Sequence, residues 1–375
     1  MKNKFLALAA PGVQKLQPYL PGKPIDELER ELGIRNSIKL ASNENPLGPS
    51  SKAVDAAKSV VGEVNLYPDG SGFKLSEALA KKHATNIDSI TLGNGSNDVL
   101  ELIARAFLTA EHSAVFSQYA FAVYPIVTQA IGAKANIALA YPADHQSMPY
   151  GHDLGAIYNA IDDTTRVVFI ANPNNPTGTW LEIDALTAFL NKVPDTVIVV
   201  LDEAYYEYMP DELKPDSSGL LKQFDNLILT RTFSKMYGLA GLRIGYSVSH
   251  PDVADMINRV RQPFNANLIA QEAALAALSD EQHVTNSINS NNSGLKQLVD
   301  GFTELGLTSI PSIGNFITVD VAQNAMPVYE ALLREGVIVR PVANYQLPNH
   351  LRITVGTESQ NARALSALAK VLKGQ

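Results

Sequence analysis

Lys235 sits in the string Arg231-Thr-Phe-Ser-Lys-Met-Tyr-Gly-Leu-Ala-Gly-Leu-Arg-Ile-Gly245, with the Ser234 hydroxyl beside it and Arg243 eight positions later. An amine among small residues can add to an aldehyde, and a nearby guanidinium and hydroxyl can hold a phosphate. The arrangement suits a lysine bonded to a phosphorylated aldehyde cofactor. A lone lysine after a turn is more often a solvated surface residue, so the decision rests on the other strings.

Asp202 closes the apolar run Val197-Ile-Val-Val-Leu201. Ligands gather at the carboxyl ends of parallel strands, where a carboxylate can pair with a protonated ring nitrogen. An N-cap aspartate for a following helix is the plainer alternative. Tyr205, three residues on, could return and donate to a ring oxygen. Asn172-Pro-Asn-Asn-Pro-Thr-Gly178 also follows an apolar run, and Asn175 offers an amide to the same oxygen. A polar turn is its bland alternative. Ser96 and Asn97 follow Gly93-Asn-Gly95 at a predicted helix start, where they can cap the helix and cradle a phosphate. In Gln118-Tyr-Ala-Phe-Ala-Val-Tyr124, Tyr119 and Phe121 could each stack on a planar ring or simply pack in the core. Arg340 and Arg352 lie in or just after apolar strands, where a guanidinium needs an anion. That anion is a substrate phosphate or carboxylate, or an internal carboxylate.

The elements that must carry these residues follow from periodicity. The runs 166–171, 197–201 and 227–230 are short and uninterrupted, as in strands covered on both faces. Helical stretches such as 184–192 separate them, giving a βαβ pattern. Val99, Ile103 and Phe107 form one helical face. Further on, 271–278 reads as an Ala/Leu-rich helix and 286–294 is polar. Phe316–Asp320 and Leu351–Val355 alternate as antiparallel strands, and Thr357 with Gln360 has capping-box spacing before a last helix. The expected fold class is α/β: a large domain, 46–262, with a mostly parallel seven-stranded sheet between helices, and a smaller α/β domain, 263–375. The N-terminal arm, 1–45, joins the small domain.

The chain of 375 residues carries a net charge of −8, so nucleic acid and anionic membranes are poor partners. It has no cysteine, which excludes disulfides, thiolate metal sites and a thiol nucleophile. No histidine pair has metal-ligand spacing and no nucleotide-binding glycine loop is complete, so no metal is expected. The start, Met1–Ala10, has two lysines but too short an apolar stretch for a leader, and no segment approaches a membrane span. A cytoplasmic protein is expected.

Together with Ala41-Ser-Asn-Glu-Asn-Pro-Leu-Gly48, Tyr67-Pro68 and Leu351–Thr357, these strings resemble, in order and spacing over nearly the whole chain, the fold-type I pyridoxal-phosphate aminotransferases of class II. The resemblance implies pyridoxal 5'-phosphate as cofactor and roles for each residue. Lys235, Asp202 and Tyr205 would be catalytic. Lys235 would be the Schiff-base lysine and proton carrier, Asp202 would bind the pyridine nitrogen, and Asn175 and Tyr205 the ring oxygen. Ser96, Asn97, Ser234, Arg243 and, from a partner subunit, Tyr67 would hold the cofactor phosphate. Tyr119 is the favoured stacking ring by position. The family's proline is missing before it, however, and Phe121 competes. Tyr19, Asn43, Arg340 and Arg352 would face the substrate. A homodimer with shared sites is implied, as are histidinol phosphate and 2-oxoglutarate or glutamate as substrates in histidine biosynthesis. The 340–349 tail resembles a branch that accepts aromatic amino acids, so phenylalanine or tyrosine is the competing substrate class. A decarboxylase of similar fold, a non-catalytic cofactor-binding sensor module and a scaffold protein are the remaining alternatives.

Overall fold

A computed structural model describes residues 4–19 and 21–374. Met1–Asn3, the start of the stretch weighed as a leader, lie outside the described residues. The strands in chain order are β1 (Ile38–Lys39), β2 (Ile90–Gly93), β3 (Ser113–Ser117), β4 (Lys134–Ala138), β5 (Thr165–Ala171), β6 (Ile198–Asp202), β7 (Leu227–Thr232), β8 (Gly245–Ser249), β9 (Thr308–Ile310), β10 (Phe316–Asp320), β11 (Val337–Ile338), β12 (Arg340–Pro341) and β13 (His350–Thr354).

Seven of them form one sheet in the order β2-β8-β7-β6-β5-β3-β4. All neighbours are parallel except β8, which runs antiparallel to both β2 and β7. The uninterrupted apolar runs become central strands because each face is covered by a different core. Val168, Ile170, Val199, Leu201, Leu227 and Leu229 enter one cluster. Val167, Phe169, Val200 and Ile228 enter the other. This period-of-two division makes a three-layer structure. Helix Ser96–Phe107 buries Val99 and Ile103 in the second cluster, as its pattern predicts. Each such side chain contributes roughly 1.5–3 kcal/mol.

The C-terminal sheet is β12-β13-β10-β9, antiparallel throughout, with Phe316–Asp320 registered against His350–Thr354. Its core joins Ile317, Val319, Leu351 and Ile353 to the helices Glu281–Glu304 and Glu358–Lys373. Thr357 and Gln360 form the expected capping box. The N-terminal arm attaches here: β1 pairs in parallel with β11, and Leu40 shares this core.

Beyond the expected division at 262/263 the chain first adds a helix to the core of the large unit. Helix Leu268–Leu278 places Ala270, Ala273, Ala274 and Ala277 in the same cluster as Leu75 and Leu79 of the large unit. Its alanine-rich composition permits close packing on helix Ser51–Val60. The chain crosses to the small unit along the 24-residue helix Glu281–Glu304. The polar stretch within it faces neighbours that use it: Ser287 accepts from Asn45 Nδ2 at 2.9 Å, and Asn291 donates to the Gly314 carbonyl at 3.1 Å.

Candidate active site

A cavity of about 250 Å³ opens where β5, β6 and β7 end, closed from above by the arm and the small unit. Ala171, Asp202 and Thr232 line its floor from the three strand ends. Lys235, Ser234 and Arg243 come from the loop after β7, and Ser96 and Asn97 from the helix start after β2. Asn175, Tyr205, Asn43 and Arg352 complete the wall.

Asp202 is 4 % exposed, and its carboxylate is split between two environments. Oδ2 accepts a hydrogen bond of 2.8 Å from the Tyr124 hydroxyl. Oδ1 has no partner of good hydrogen-bond geometry, although the Thr230 hydroxyl and the Ala204 N–H lie near enough to the carboxylate to favour its charged form. Burial pushes the carboxyl up to about 6 despite the Tyr124 bond, so it is largely ionised at neutral pH. A buried carboxylate oxygen left open at a strand end fits a cationic ring nitrogen.

Lys235 Nζ donates to the Ser42 carbonyl at 2.9 Å. Burial pushes its pKa down to about 7, and the cationic Arg352 and Arg243 add to the shift, opposed by Glu44. Near neutral pH about half of these amines are uncharged and nucleophilic.

The residues expected to hold a phosphate gather around Arg243. Its Nη1 donates to Ser234 Oγ at 3.3 Å and to the Ala240 carbonyl at 3.0 Å. Arg243 has φ 55°, in the left-handed region costly for a residue with a side chain. The guanidinium lies so close to Gly95 that a Cβ there would collide with it. Gly95, not Ser96 or Asn97, is the N-cap, and no side chain caps this helix. Ser96 and Asn97 line the cavity instead of capping the helix, whose first N–H groups have no side-chain cap.

Asn43, also left-handed at φ 57°, knits the units together. Its Nδ2 donates to the Tyr205 hydroxyl at 2.8 Å, its N–H to Thr354 Oγ1 at 2.9 Å, and its carbonyl accepts from Asn315 at 3.0 Å. Arg352 is 5 % exposed and donates to Asn175 Oδ1 and, at 2.7 Å, to the Ala41 carbonyl. Its Nε has no partner, and it makes no ion pair among the described residues. A buried guanidinium compensated only by dipoles is an anion receptor.

Two residues expected at this cavity, Tyr119 and Arg340, lie elsewhere. Phe121, not the favoured Tyr119, lines the cavity. Tyr119 turns edge-on to Tyr150 and packs with Val342, Tyr345 and Leu347. That small-unit surface, remote in sequence, takes the ring away. Arg340 lines a separate groove of about 470 Å³, with its guanidinium over the Tyr19 ring at 5.5 Å. Tyr19 lines both spaces, so the groove adjoins the cavity. Tyr67 is 82 % exposed and stacks on Phe264 with centroids 4.6 Å apart, away from this chain's own cavity.

Sequence reasoning missed Tyr124 and Glu44. Tyr124 ends the string already singled out for its aromatic rings. Glu44 lies within the Asn-Glu-Asn segment, lines the cavity and pairs with Lys39 at 2.5 Å.

A mostly parallel sheet with a depressed lysine, a carboxylate with an open oxygen and a group of anion-binding donors at its strand ends is the setting of cofactor-dependent amino transfer. The family described as aminotransferase class I and II matches residues 35–368, and the chain belongs to it. Among relatives, it is 58% identical over 374 residues to histidinol-phosphate aminotransferase 2 of Pseudomonas fluorescens (strain Pf0-1), covering 99% of each chain. It is 57% identical over 372 residues to histidinol-phosphate aminotransferase 2 of Pseudomonas aeruginosa, again covering 99% of each. The crystal structure of histidinol-phosphate aminotransferase from Sinorhizobium meliloti in complex with pyridoxal-5'-phosphate is similar with a TM-score of 0.87 and 28% identity, covering 97% of each chain.

Proposed function

We propose that this chain is a pyridoxal-phosphate-dependent aminotransferase that exchanges an amino group between L-histidinol phosphate and 2-oxoglutarate, with imidazole-acetol phosphate and L-glutamate as products. The observation that carries the chemistry is the cavity itself. A lysine near its neutral form, a carboxylate with an open oxygen and two guanidinium groups without carboxylate partners share one wall. The phosphorylated substrate rests on the 58% identity over the full length to a relative of that name.

The residues present fit the cofactor. Asp202 Oδ1 would hold its ring nitrogen, and Asn175 and Tyr205 its ring oxygen. Ser96, Asn97, Ser234 and Arg243 would hold its phosphate. Phe121 would cover one ring face, and Lys235 would hold it covalently. When bound, pyridoxal phosphate supplies an electron sink for negative charge at the substrate Cα. Lys235 Nζ would act as the base that takes the substrate Cα proton and as the carrier that passes it on. Its depressed pKa makes it a competent base near pH 7. Asp202 would favour the protonated form of the ring nitrogen. Arg352 orients the substrate's anion, and Tyr19 stands between the cavity and the Arg340 groove. The exposed Tyr67 would reach a second subunit's cofactor phosphate in a homodimer, and the enzyme would work in the cytoplasm.

The test is a paired steady-state assay of cofactor-saturated protein, with histidinol phosphate and phenylalanine compared as donors to 2-oxoglutarate. The expected result is a kcat/KM at least about 100-fold higher for histidinol phosphate, because a receptor suited to a phosphate dianion holds the smaller, singly charged carboxylate of phenylalanine less well. Equal or better use of phenylalanine would assign an aromatic aminotransferase, with Arg352 serving a carboxylate alone.

A further inference from the structure

Tyr124 is a fully enclosed polar side chain hydrogen-bonded to a residue of the cavity, and none of the roles above uses it. It sits in the first turn of helix Val123–Ile131, with a side chain 0 % exposed. Its ring stacks on Phe169 at 4.9 Å with an interplanar angle of 10°, so it cannot rotate without disturbing β5. Its edge meets the Phe121 ring at 5.9 Å and 87°. Its hydroxyl has one acceptor, Asp202 Oδ2, at 2.8 Å. A fully buried phenol donor is thus spent on one oxygen of a carboxylate whose other oxygen is open.

We infer that Tyr124 is a positioning residue: through its hydrogen bond it fixes the direction and the ionised state of Asp202, and through its ring it props Phe121 against the cavity. The inference rests on the cofactor-binding role proposed for the cavity. The geometry explains why both contacts belong to one residue. The bond to Oδ2 leaves Oδ1 as the only oxygen of Asp202 available to a ring nitrogen. The edge contact holds Phe121 where it lines the same space. Hydrogen bonding to the charged form offsets part of the cost of burying it, so loss of the donor shifts Asp202 toward the protonated form. Phenol ionisation does not compete, because burial beside Asp202 raises Tyr124 well above its ordinary value.

The other titratable and charged groups around Asp202 stay the same when Tyr124 changes. Glu203, next in the chain, is bound by Arg231 and Ser217. Tyr205, Lys235, Arg243, Arg352 and Glu44 face the cavity. Tyr345 lies near Tyr124 and contributes a weak repulsion to its ionised form.

The experiment is a titration of cofactor-free protein with pyridoxal phosphate at a series of pH values, read by the absorbance of the lysine adduct and needing no turnover. In the parent protein the affinity is expected to fall as pH drops, first through about 7 as Lys235 protonates and then further through about 6, where Asp202 protonates; the second fall is the one read here. In Tyr124→Phe the fall should begin at higher pH, by about one unit, with affinity at alkaline pH changed least. Thr128→Val is the structural control. It removes a buried hydroxyl of the same helix, which donates to the Tyr124 carbonyl at 2.8 Å, without touching Asp202. It should leave the pH of the fall in place. Should Tyr124→Phe fail to fold, a ring-fluorinated tyrosine at 124, nearly isosteric with a more acidic hydroxyl, should move the fall to lower pH. An unmoved fall in the folded Tyr124 variant, or an equal move in Thr128→Val, overturns the inference. Absence of any adduct in the parent protein overturns the cofactor role and this inference with it.

Discussion

Asp202 and Glu203 are consecutive carboxylates at the end of β6, both almost fully buried, and they have opposite fates. Asp202 turns toward the second core and the cavity, keeps one oxygen unpartnered and has its pKa raised to about 6. Glu203 turns toward the first core and is fully engaged. Arg231 meets it through Nε at 2.9 Å and Nη2 at 2.7 Å, and Ser217 Oγ donates to its other oxygen at 2.5 Å. The Tyr206 ring covers the guanidinium at 3.7 Å. The period of two along a strand sends neighbours to different surroundings. Burial alone therefore does not mark a functional charge. Burial without an internal counter-charge does, and Arg352 and Lys235 share that condition with Asp202.

The largest expected effect tests the open side. Lys235→Ala removes the amine that moves the proton, and turnover should fall on the order of 10^4-fold or more. The borohydride-reducible adduct should vanish with it. Near-normal turnover would break the assignment of the cavity. Asp202→Asn should follow, with kcat reduced on the order of 100- to 1000-fold, since a neutral amide cannot hold the ring nitrogen cationic. Unchanged kcat in cofactor-saturated protein would remove its role.

The closed side predicts a different readout. Glu203→Gln leaves the Arg231 guanidinium charged and buried without its counter-ion, a change that costs about 3–5 kcal/mol of folding stability. Urea unfolding of the cofactor-free protein should show it as a lower midpoint. Residual activity should track the folded fraction. A midpoint equal to that of the parent protein would mean that the pair is no structural clamp, and the contrast between the two carboxylates would lose half its content.

How much of this was legible before the fold is itself uneven in a physical way. The strand ends were legible, because double-sided burial writes an uninterrupted apolar run. Asp202, Asn172–Gly178 and the Lys235 loop sit directly after such runs. The capping box was legible because Thr357 and Gln360 satisfy each other locally. What failed depended on distant partners. Tyr119 leaves the cavity for Tyr150 and a cluster around residues 342–347, some 220 positions away in the chain. The alanine-rich helix after residue 263 carries no local sign of the core it joins, because its small side chains serve close packing against the distant helix Ser51–Val60. Arg340 carries no local sign that it lines an adjoining groove and not the cavity. Nothing in the order of residues says that Tyr124 would meet Asp202, 78 positions on.

The smallest expected effect is also the one that best separates the two carboxylates, because it has the opposite sign. The folded-state pKa of Asp202, about 6, lies above its ordinary value of 3.8. The folded cofactor-free protein therefore holds a proton there that the unfolded chain has already lost, and stability from this group is full below about 3.8 and gone once pH has risen through about 6. Asp202→Asn has no charge to bury, and its side-chain oxygen can still accept from Tyr124. Above pH 6 the variant should be more stable than the parent by about 2–3 kcal/mol, with the gain shrinking as pH falls toward 4. Thermal unfolding of both cofactor-free proteins across that range measures it. A gain for Asp202→Asn beside a loss for Glu203→Gln would establish that the fold carries one carboxylate at a cost and leans on the other. Destabilisation of Asp202→Asn above pH 6 would mean that Asp202 finds a compensating charge in the empty site, and the open oxygen would no longer single it out as a ligand group.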